Sequence, residues 1–229
     1  MYKKEFDENK FIIVRNFFDM KHVERMSKRI AYLKQINRLE KDPQCTLSLS
    51  SYSDTVNSEY QELYREKLEY IIGYSLLPTY NYCRVYVGKE ILEKHIDRFS
   101  CEISITSTLD YNTFDDEPWD IYLEPEIKIK LYPGDILVYK GCEIPHWREK
   151  FTGIHQTQVF MHYVDADGPY ADCKYDFRAN LAAEKTSEEI RIKGVEKIRE
   201  NINKQETIRT SNNKGTVQQR RTKTNVEGN

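Results

Sequence analysis

The sequence predicts a mainly β chain with flanking helices: a β-sandwich or jelly-roll barrel with N-terminal helices packed outside it. Helical patterns occur only near the two ends of the chain. At least six short β-favouring runs lie between Thr79 and Val164, with turn residues separating them. The 229 residues are 39% hydrophobic, enough apolar material for one packed domain.

Taken in order, Asn9–Phe18 is a β-favouring entry run, and Asp19 then offers an N-cap to a helix over 20–36. Val23, Met26, Ile30 and Leu33 recur there at helical spacing. Residues 43–57 are rich in Ser, Thr, Asp and Pro and read as loop. Leu63, Leu68, Ile71 and Ile72 predict a second helix over 58–73, stopped by Gly73. The strands follow at 79–87, 91–97, 101–109, 127–131, 135–139 and 155–164. In the third of these, Ile103, Ile105 and Leu109 form a core face, while Glu102, Ser104, Thr106 and Thr108 form a polar face for a pocket or for solvent. Tyr80, Tyr82 and Tyr86 recur at period two and fill the barrel wall. The expected organisation is one domain over 1–178, with a supporting part at 1–76 and a jelly-roll core at 77–178. A helix over 179–204 and a disordered basic tail over 205–229 come after it. From 201 onward the aliphatic residues are only Ile202, Ile208, Val217 and Val226, too few to bury a core.

The formal net charge is −2, which excludes a generic polyanion binder; the weakly basic tail is the only feature that leans towards nucleic acid. No apolar run reaches the roughly 18 residues of a membrane span, and the first residues lack a signal-peptide apolar stretch. A soluble, cytoplasmic protein without a membrane partner is therefore expected. The five cysteines are scattered, with no Cys-x-x-Cys pair for zinc or dithiol chemistry, and read as free thiols, mostly in the core.

Among the five histidines, His95 is the informative one, in Glu93-Lys-His-Ile-Asp-Arg98. On a strand, residues two apart project from one face, so His95 and Asp97 can present an imidazole and a carboxylate to a single metal ion. The pattern alone is weak, because His-x-acid arises by chance, and His22-Val-Glu24 is another instance. That one falls on the predicted helix, where i and i+2 point apart by about 160°. Context strengthens His95. Tyr132-Pro-Gly-Asp-Ile-Leu-Val-Tyr139 predicts a turn and strand that deliver Pro145-His146 at their end. Two His and one carboxylate on one face, with open positions opposite, are the arrangement for non-heme Fe(II) that activates O₂. His162 shares a face with Gln156 and Gln158 and reads as a hydrogen-bonded barrel histidine or a fourth ligand. The acidic run Asp115–Asp120 reads as a solvated loop, of the kind that at a barrel mouth also chooses substrates.

Four strings carry a family resemblance: Leu77-Pro-Thr-Tyr-Asn-Tyr-Cys-Arg-Val-Tyr86, His95-Ile-Asp-Arg-Phe-Ser-Cys-Glu-Ile-Ser104, Tyr132-Pro-Gly-Asp-Ile-Leu-Val-Tyr-Lys-Gly-Cys-Glu-Ile-Pro-His-Trp-Arg148 and Gln158-Val-Phe-Met-His-Tyr-Val-Asp165. The segment from about Leu77 to Phe177 resembles the 2-oxoglutarate and Fe(II)-dependent oxygenases of the prolyl-4-hydroxylase-like group, in particular an uncharacterised bacterial and phage set. The resemblance implies a double-stranded β-helix in which His95, Asp97 and His146 hold Fe(II) and Tyr86 touches the co-substrate carboxylate. It also implies decarboxylation of 2-oxoglutarate with O₂ and hydroxylation of a peptidyl residue or a small molecule. Most such enzymes hold the far carboxylate of 2-oxoglutarate with an Arg or Lys about nine to eleven residues after the distal histidine. Here His155, Gln156 and Thr157 stand there. Arg84, on the strand face of Tyr82 and Tyr86, and Arg148, just beyond His146, are the substitute cations. Arg84 reads equally as a structural ion pair with an acid such as Glu102, and Arg148 as a solvated loop charge. The second functional reading is a non-catalytic, cupin-like jelly roll: a metal-binding protein or a structural or interaction protein, for which a viral origin stays open.

Because residues 205–229 lack a burying face, their deletion is expected to leave the melting temperature unchanged. A loss of several degrees in a thermal melt would show that the tail docks.

Overall fold

The computed structural model describes residues 2–185, 187–188, 190–200 and 202–203. The expected disordered tail at 205–229 lies outside these residues. The described residues divide into two units, those before residue 187 and those from 187 onward.

The first unit begins with α1 (Lys3–Asn9), which the sequence pattern did not predict. It is short and buries only Phe6, so no helical periodicity can register. The entry run narrows to β1 (Phe11–Val14). As expected, Asp19 caps α2 (Met20–Gln35), its carboxylate accepting from Lys21 N–H, and Val23, Met26, Ile30 and Leu33 are its buried residues. An edge strand, β2 (Glu40–Lys41), lies just before the stretch read as loop, and β3 (Leu49–Tyr52) lies within it. Such short polar strands carry little hydrophobic signal, and only pairing, of β2 with β3 and of β3 with β4, reveals them. The second predicted helix is two, α3 (Thr55–Leu63) and α4 (Arg65–Ile72), broken at Tyr64. Gly73 stops the second with φ +71°, a conformation that glycine adopts without strain.

The barrel follows as β4 (Leu76–Val87), β5 (Leu92–His95), β6 (Ile103–Asn112), β7 (Ile121–Leu123), β8 (Ile127–Ile129), β9 (Ile136–Tyr139), β10 (His146–Arg148) and β11 (His155–Asp165). Two antiparallel sheets result, ordered β1-β9-β6-β11-β4-β3-β2 and β5-β10-β7-β8. This is the jelly roll that the strand pattern predicted. Three-residue strands such as β7 and β10 were too short to be read as runs.

Alternation along the large sheet divides its residues between two cores. Ile103, Ile105, Val138, Val159 and Met161 face outward and join α2 and α4 through Met26, Ile30, Leu68 and Ile72. On the inner face, Leu137 and Tyr139 pack with Ile121, Leu123 and Ile129 of the small sheet. The helices therefore cover one face of the large sheet and leave its other face to the barrel interior.

The helix expected over 179–204 starts only at Glu188. Residues 179–185 are turn and coil. The Arg178 guanidinium accounts for this, donating to Leu181 O and Ala183 O and so taking carbonyls that a helix would use itself. In the second unit the helical stretch carries an Arg191–Glu188 pair at 2.7 Å. Among the described residues no helix is long and apolar enough to cross a membrane.

Candidate metal centre and the pocket behind it

Antiparallel pairing of β5 with β10 sets His95 directly opposite His146. The two rings lie 4.4 Å apart. His95 Nδ1 is 2.7 Å from the Glu93 carbonyl and His146 Nδ1 is 3.1 Å from the Ile144 carbonyl. A carbonyl only accepts, so both Nδ1 atoms carry the proton and both Nε2 lone pairs are free. Each Nε2 lies 3.7 Å from Asp97 Oδ1. The spacing of His95 and Asp97 and the strand leading to His146 thus bring one donor atom of each residue within 4.8 Å of the others.

Asp97 is held at its backbone, its N–H donating to Gly141 O at 2.8 Å. Gly141 must lack a side chain, because a Cβ there would sit 2.6 Å from Asp97 Oδ2. That oxygen is buried and has no hydrogen-bond partner. Burial raises the Asp97 pKa to about 6 and lowers that of His146 to about 4; burial and then His146 lower that of His95. Two neutral imidazoles and a carboxylate with an orphaned oxygen fit a divalent cation by donor type and by number.

The neighbouring set Asp97, Cys101 and His162 also brings donors together. There the Cys101 thiol lies 3.0 Å from the Tyr80 hydroxyl, and burial pushes its pKa well up. His162 Nδ1 is hydrogen-bonded to Ser104 at 2.8 Å and its ring rests on Tyr80. His162 is the hydrogen-bonded barrel histidine, kept neutral by burial.

The inner faces of β6 and β11 are polar and self-satisfied. Thr106 and Thr108 bond Gln158, which also accepts from Gln156 Nε2. Glu102 does not share this face; it accepts from Asp165 N–H beside the barrel, with its pKa raised to about 7 by burial. His155 points away from the interior to Asp110, and His22 bonds Tyr64 on the helix layer. Neither is near the three donors.

The candidate cations separate sharply. Arg84 forms a buried ion pair with Asp42 (Nε to Oδ2, 2.6 Å) in place of the expected Glu102; Nη2 donates to Gln44 and Nη1 to the Tyr86 hydroxyl at 3.0 Å. All three of its nitrogens are engaged. Tyr86 is fully buried, and because its oxygen accepts from Arg84 its own proton is directed elsewhere. Arg148 is no loop charge: it is 1% exposed and lies inside the barrel, 5.7 Å from the Tyr86 ring and 5.1 Å from that of Trp119. Its Nη1 donates to the carbonyls of Trp119 and Asp120, while Nε has no partner. Among the described residues no carboxylate pairs with it. Gln156 accepts from Trp119 N–H at 2.7 Å, so one tryptophan backbone is bracketed by Gln156 and Arg148. Sequence reading missed Asp42, Gln44 and Trp119. Asp42 lies just before the stretch read as loop and Gln44 within it, and Trp119 enters through its backbone, which leaves no residue-type signal.

No family model matches the chain, and no curated protein matches it. Solved structures do. A prolyl-4-hydroxylase from Pseudomonas putida superposes with TM-score 0.58 at 12% identity, covering 71% of this chain and 96% of that one. A prolyl hydroxylase from Trichoplax adhaerens, in complex with a hypoxia inducible factor peptide fragment, superposes at 0.58 with 16% identity, covering 72% and 88%. A non-heme α-ketoglutarate-dependent epimerase from nogalamycin biosynthesis gives 0.60 at 12% identity over 81% and 91%. At this identity the likeness is one of fold: the chain has the jelly roll of the 2-oxoglutarate/Fe(II) oxygenases.

If the Arg84–Asp42 pair is structural, Asp42→Ala, which leaves a buried guanidinium unpaired, should cost about 3–5 kcal/mol in urea denaturation. A cost below about 1 kcal/mol would refute that role.

Proposed function

We propose that this chain is an Fe(II)- and 2-oxoglutarate-dependent oxygenase that hydroxylates a peptidyl residue or a small molecule. The observation that carries the reading is the convergence of His95 Nε2, His146 Nε2 and Asp97 Oδ1 in a barrel of the oxygenase fold. These three residues would hold the metal. When bound, Fe(II) supplies O₂ activation coupled to decarboxylation of the co-substrate. Some oxygenases of this fold carry 2-oxoglutarate in their solved structures, among them a viral collagen prolyl hydroxylase from Paramecium bursaria Chlorella virus-1.

The chain's own groups divide the remaining work. Glu93 O and Ile144 O fix the tautomers of the two histidines, so no proton has to leave either imidazole when a cation arrives. Arg148 takes the far carboxylate of the co-substrate: it is a full positive charge without an acid, enclosed by Tyr86 and Trp119, with an unused N–H. Tyr86 donates its hydroxyl proton to the same carboxylate. Arg84 acts through Tyr86 and is a positioning residue, with no contact of its own. Trp119, packed on Tyr86 and Phe151, keeps water from this end of the pocket.

His95→Ala and Asp97→Ala should each abolish Fe(II) binding in anaerobic calorimetry and leave the melting temperature near that of the parent, whereas His22→Ala should change neither. Unchanged Fe(II) affinity in both ligand variants would sink the metal assignment.

Arg148→Met keeps bulk and removes the charge and the forked donors. It should weaken 2-oxoglutarate affinity by roughly 1.5–3 kcal/mol, about 10- to 150-fold, with Fe(II) affinity little changed. Equal co-substrate affinity in this variant would place the anchor elsewhere. A parent that binds metal but never 2-oxoglutarate would favour the non-catalytic jelly roll.

A further inference from the structure

Beyond β11 the chain runs through Ala171–Phe177, short 3₁₀ turns interrupted by a kink at Lys174, Tyr175 and Asp176, and then the turns that end at residue 185. Tyr175, Asp176 and Phe177 are three consecutive residues with φ of 54°, 54° and 63°. No glycine relieves them, and residues with side chains enter this left-handed region one at a time as a rule. Such a conformation persists only where its surroundings over-determine it. Here the determinant is the Asp176 carboxylate. It is buried and accepts both Nη atoms of Arg98, the Ser100 hydroxyl at 2.8 Å and the Tyr52 hydroxyl at 2.5 Å. Two of these donors belong to the short stretch that carries Asp97. Arg178 ties the same segment to β4, donating to Thr79 O at 2.9 Å.

Asp97 itself has few restraints. Its N–H is bonded to Gly141 O, and its side chain makes no hydrogen bond to fix the rotamer. The remaining restraint comes through Arg98: its carbonyl accepts from the Cys142 thiol at 3.0 Å, and its guanidinium lies 4.5 Å over the Tyr80 ring and in the bidentate pair with Asp176. Without Asp176, Arg98 would keep only the Ser100 hydroxyl at 3.1 Å and the Tyr80 ring to hold it, and would leave an uncompensated positive charge next to a cation site. Both effects oppose metal binding.

We infer that Asp176, reaching back from the segment that follows the barrel, is a positioning residue for the metal centre: it fixes the Asp97-bearing loop and neutralises Arg98 beside it. The inference rests on the metal-centre reading given above and extends it to a residue that touches none of the three donor atoms. The cation-binding unit therefore includes the chain through residue 178 and does not end with β11.

The test uses the full chain and Mn²⁺ as an O₂-inert probe. Asp176→Asn preserves shape and removes the charge, and it should weaken Mn²⁺ affinity about 10- to 100-fold by calorimetry. The double variant Arg98→Met/Asp176→Asn, which removes the stranded charge as well, should recover part of that loss, a readout that a purely structural role would not move. Coupling is reciprocal, so in the parent Mn²⁺ should slow hydrogen exchange across 171–178. This second measurement decides the matter even if the variants fold poorly. A parent that binds Mn²⁺ without protecting 171–178, or an Asp176→Asn variant that binds it like the parent, would overturn the positioning role and leave the metal centre standing. A parent that does not bind Mn²⁺ at all removes the metal centre and this role together.

Discussion

Inside a closed jelly roll a polar atom must find its partner on the opposite wall, since leaving one buried and unpaired costs about 1–3 kcal/mol, and more for a charge. Most of the interior obeys this rule. Thr106, Thr108, Gln156 and Gln158 saturate one another, and Ser104 answers His162. The exceptions with a full charge are few. Asp120 has an orphaned oxygen, but Lys128 meets its charge at 3.0 Å. Asn57, Gln61 and Asn81 leave neutral carbonyl oxygens unpaired on the helix side of the large sheet. Among the described residues, Asp97 Oδ2 and Arg148 Nε are the orphans on otherwise unpaired charged groups within the barrel, and they mark two places where the interior is incomplete.

The second of those places would serve in lieu of a cation on β11. Gln156 stands where the family resemblance implies one, yet it is spent on the Trp119 N–H and on Gln158. Arg148, from β10 of the facing sheet, meets the same Trp119 backbone at its carbonyl. On the proposed reading, the positive charge would stand on the opposite wall of the barrel, which a jelly roll permits because both sheets line one interior and because a guanidinium is long enough to reach across from two residues beyond His146.

The large features were legible because each rests on a local pattern. The spacing of Val23, Met26, Ile30 and Leu33, with Asp19 before them, defines α2 almost to the residue. The His95-Ile-Asp97 pair and the turn-strand before His146 are likewise local, and the fold merely closes them on each other. What escaped is what depends on long-range partners. β3 is a strand only because β4 pairs with it, α1 has a single buried residue, and Asp42 earns no notice until Arg84 arrives from 42 positions away. The same reason left Arg84 and Arg148 unranked in the sequence, since one shares a face with Tyr86 and the other with His146, and only their partners tell them apart. The helix over 179–187 failed differently: its composition favours helix, and a single side chain, Arg178, captures the carbonyls instead.

Electrostatics join these observations into one account of why the centre calls for a cation. Burial drives all three donor residues towards their neutral forms, lifting Asp97 to about 6 and depressing His146 to about 4. Neutral is the right state for two imidazole ligands and the wrong one for the carboxylate. A divalent cation offsets only that cost: it favours the charged form of Asp97 and needs no proton from either histidine, whose Nδ1–H groups are already committed to carbonyls. The same low dielectric that makes the carboxylate costly in an empty barrel makes its attraction to a bound ion large. Arg148 follows the same logic with the sign reversed: burial lowers the pKa of its guanidinium, and an anionic ligand at that end would offset this as the metal does at the other. On the proposed reading, a small molecule with a metal-chelating head and a carboxylate tail would satisfy both ends at once, and among the described residues no side chain satisfies either orphaned atom.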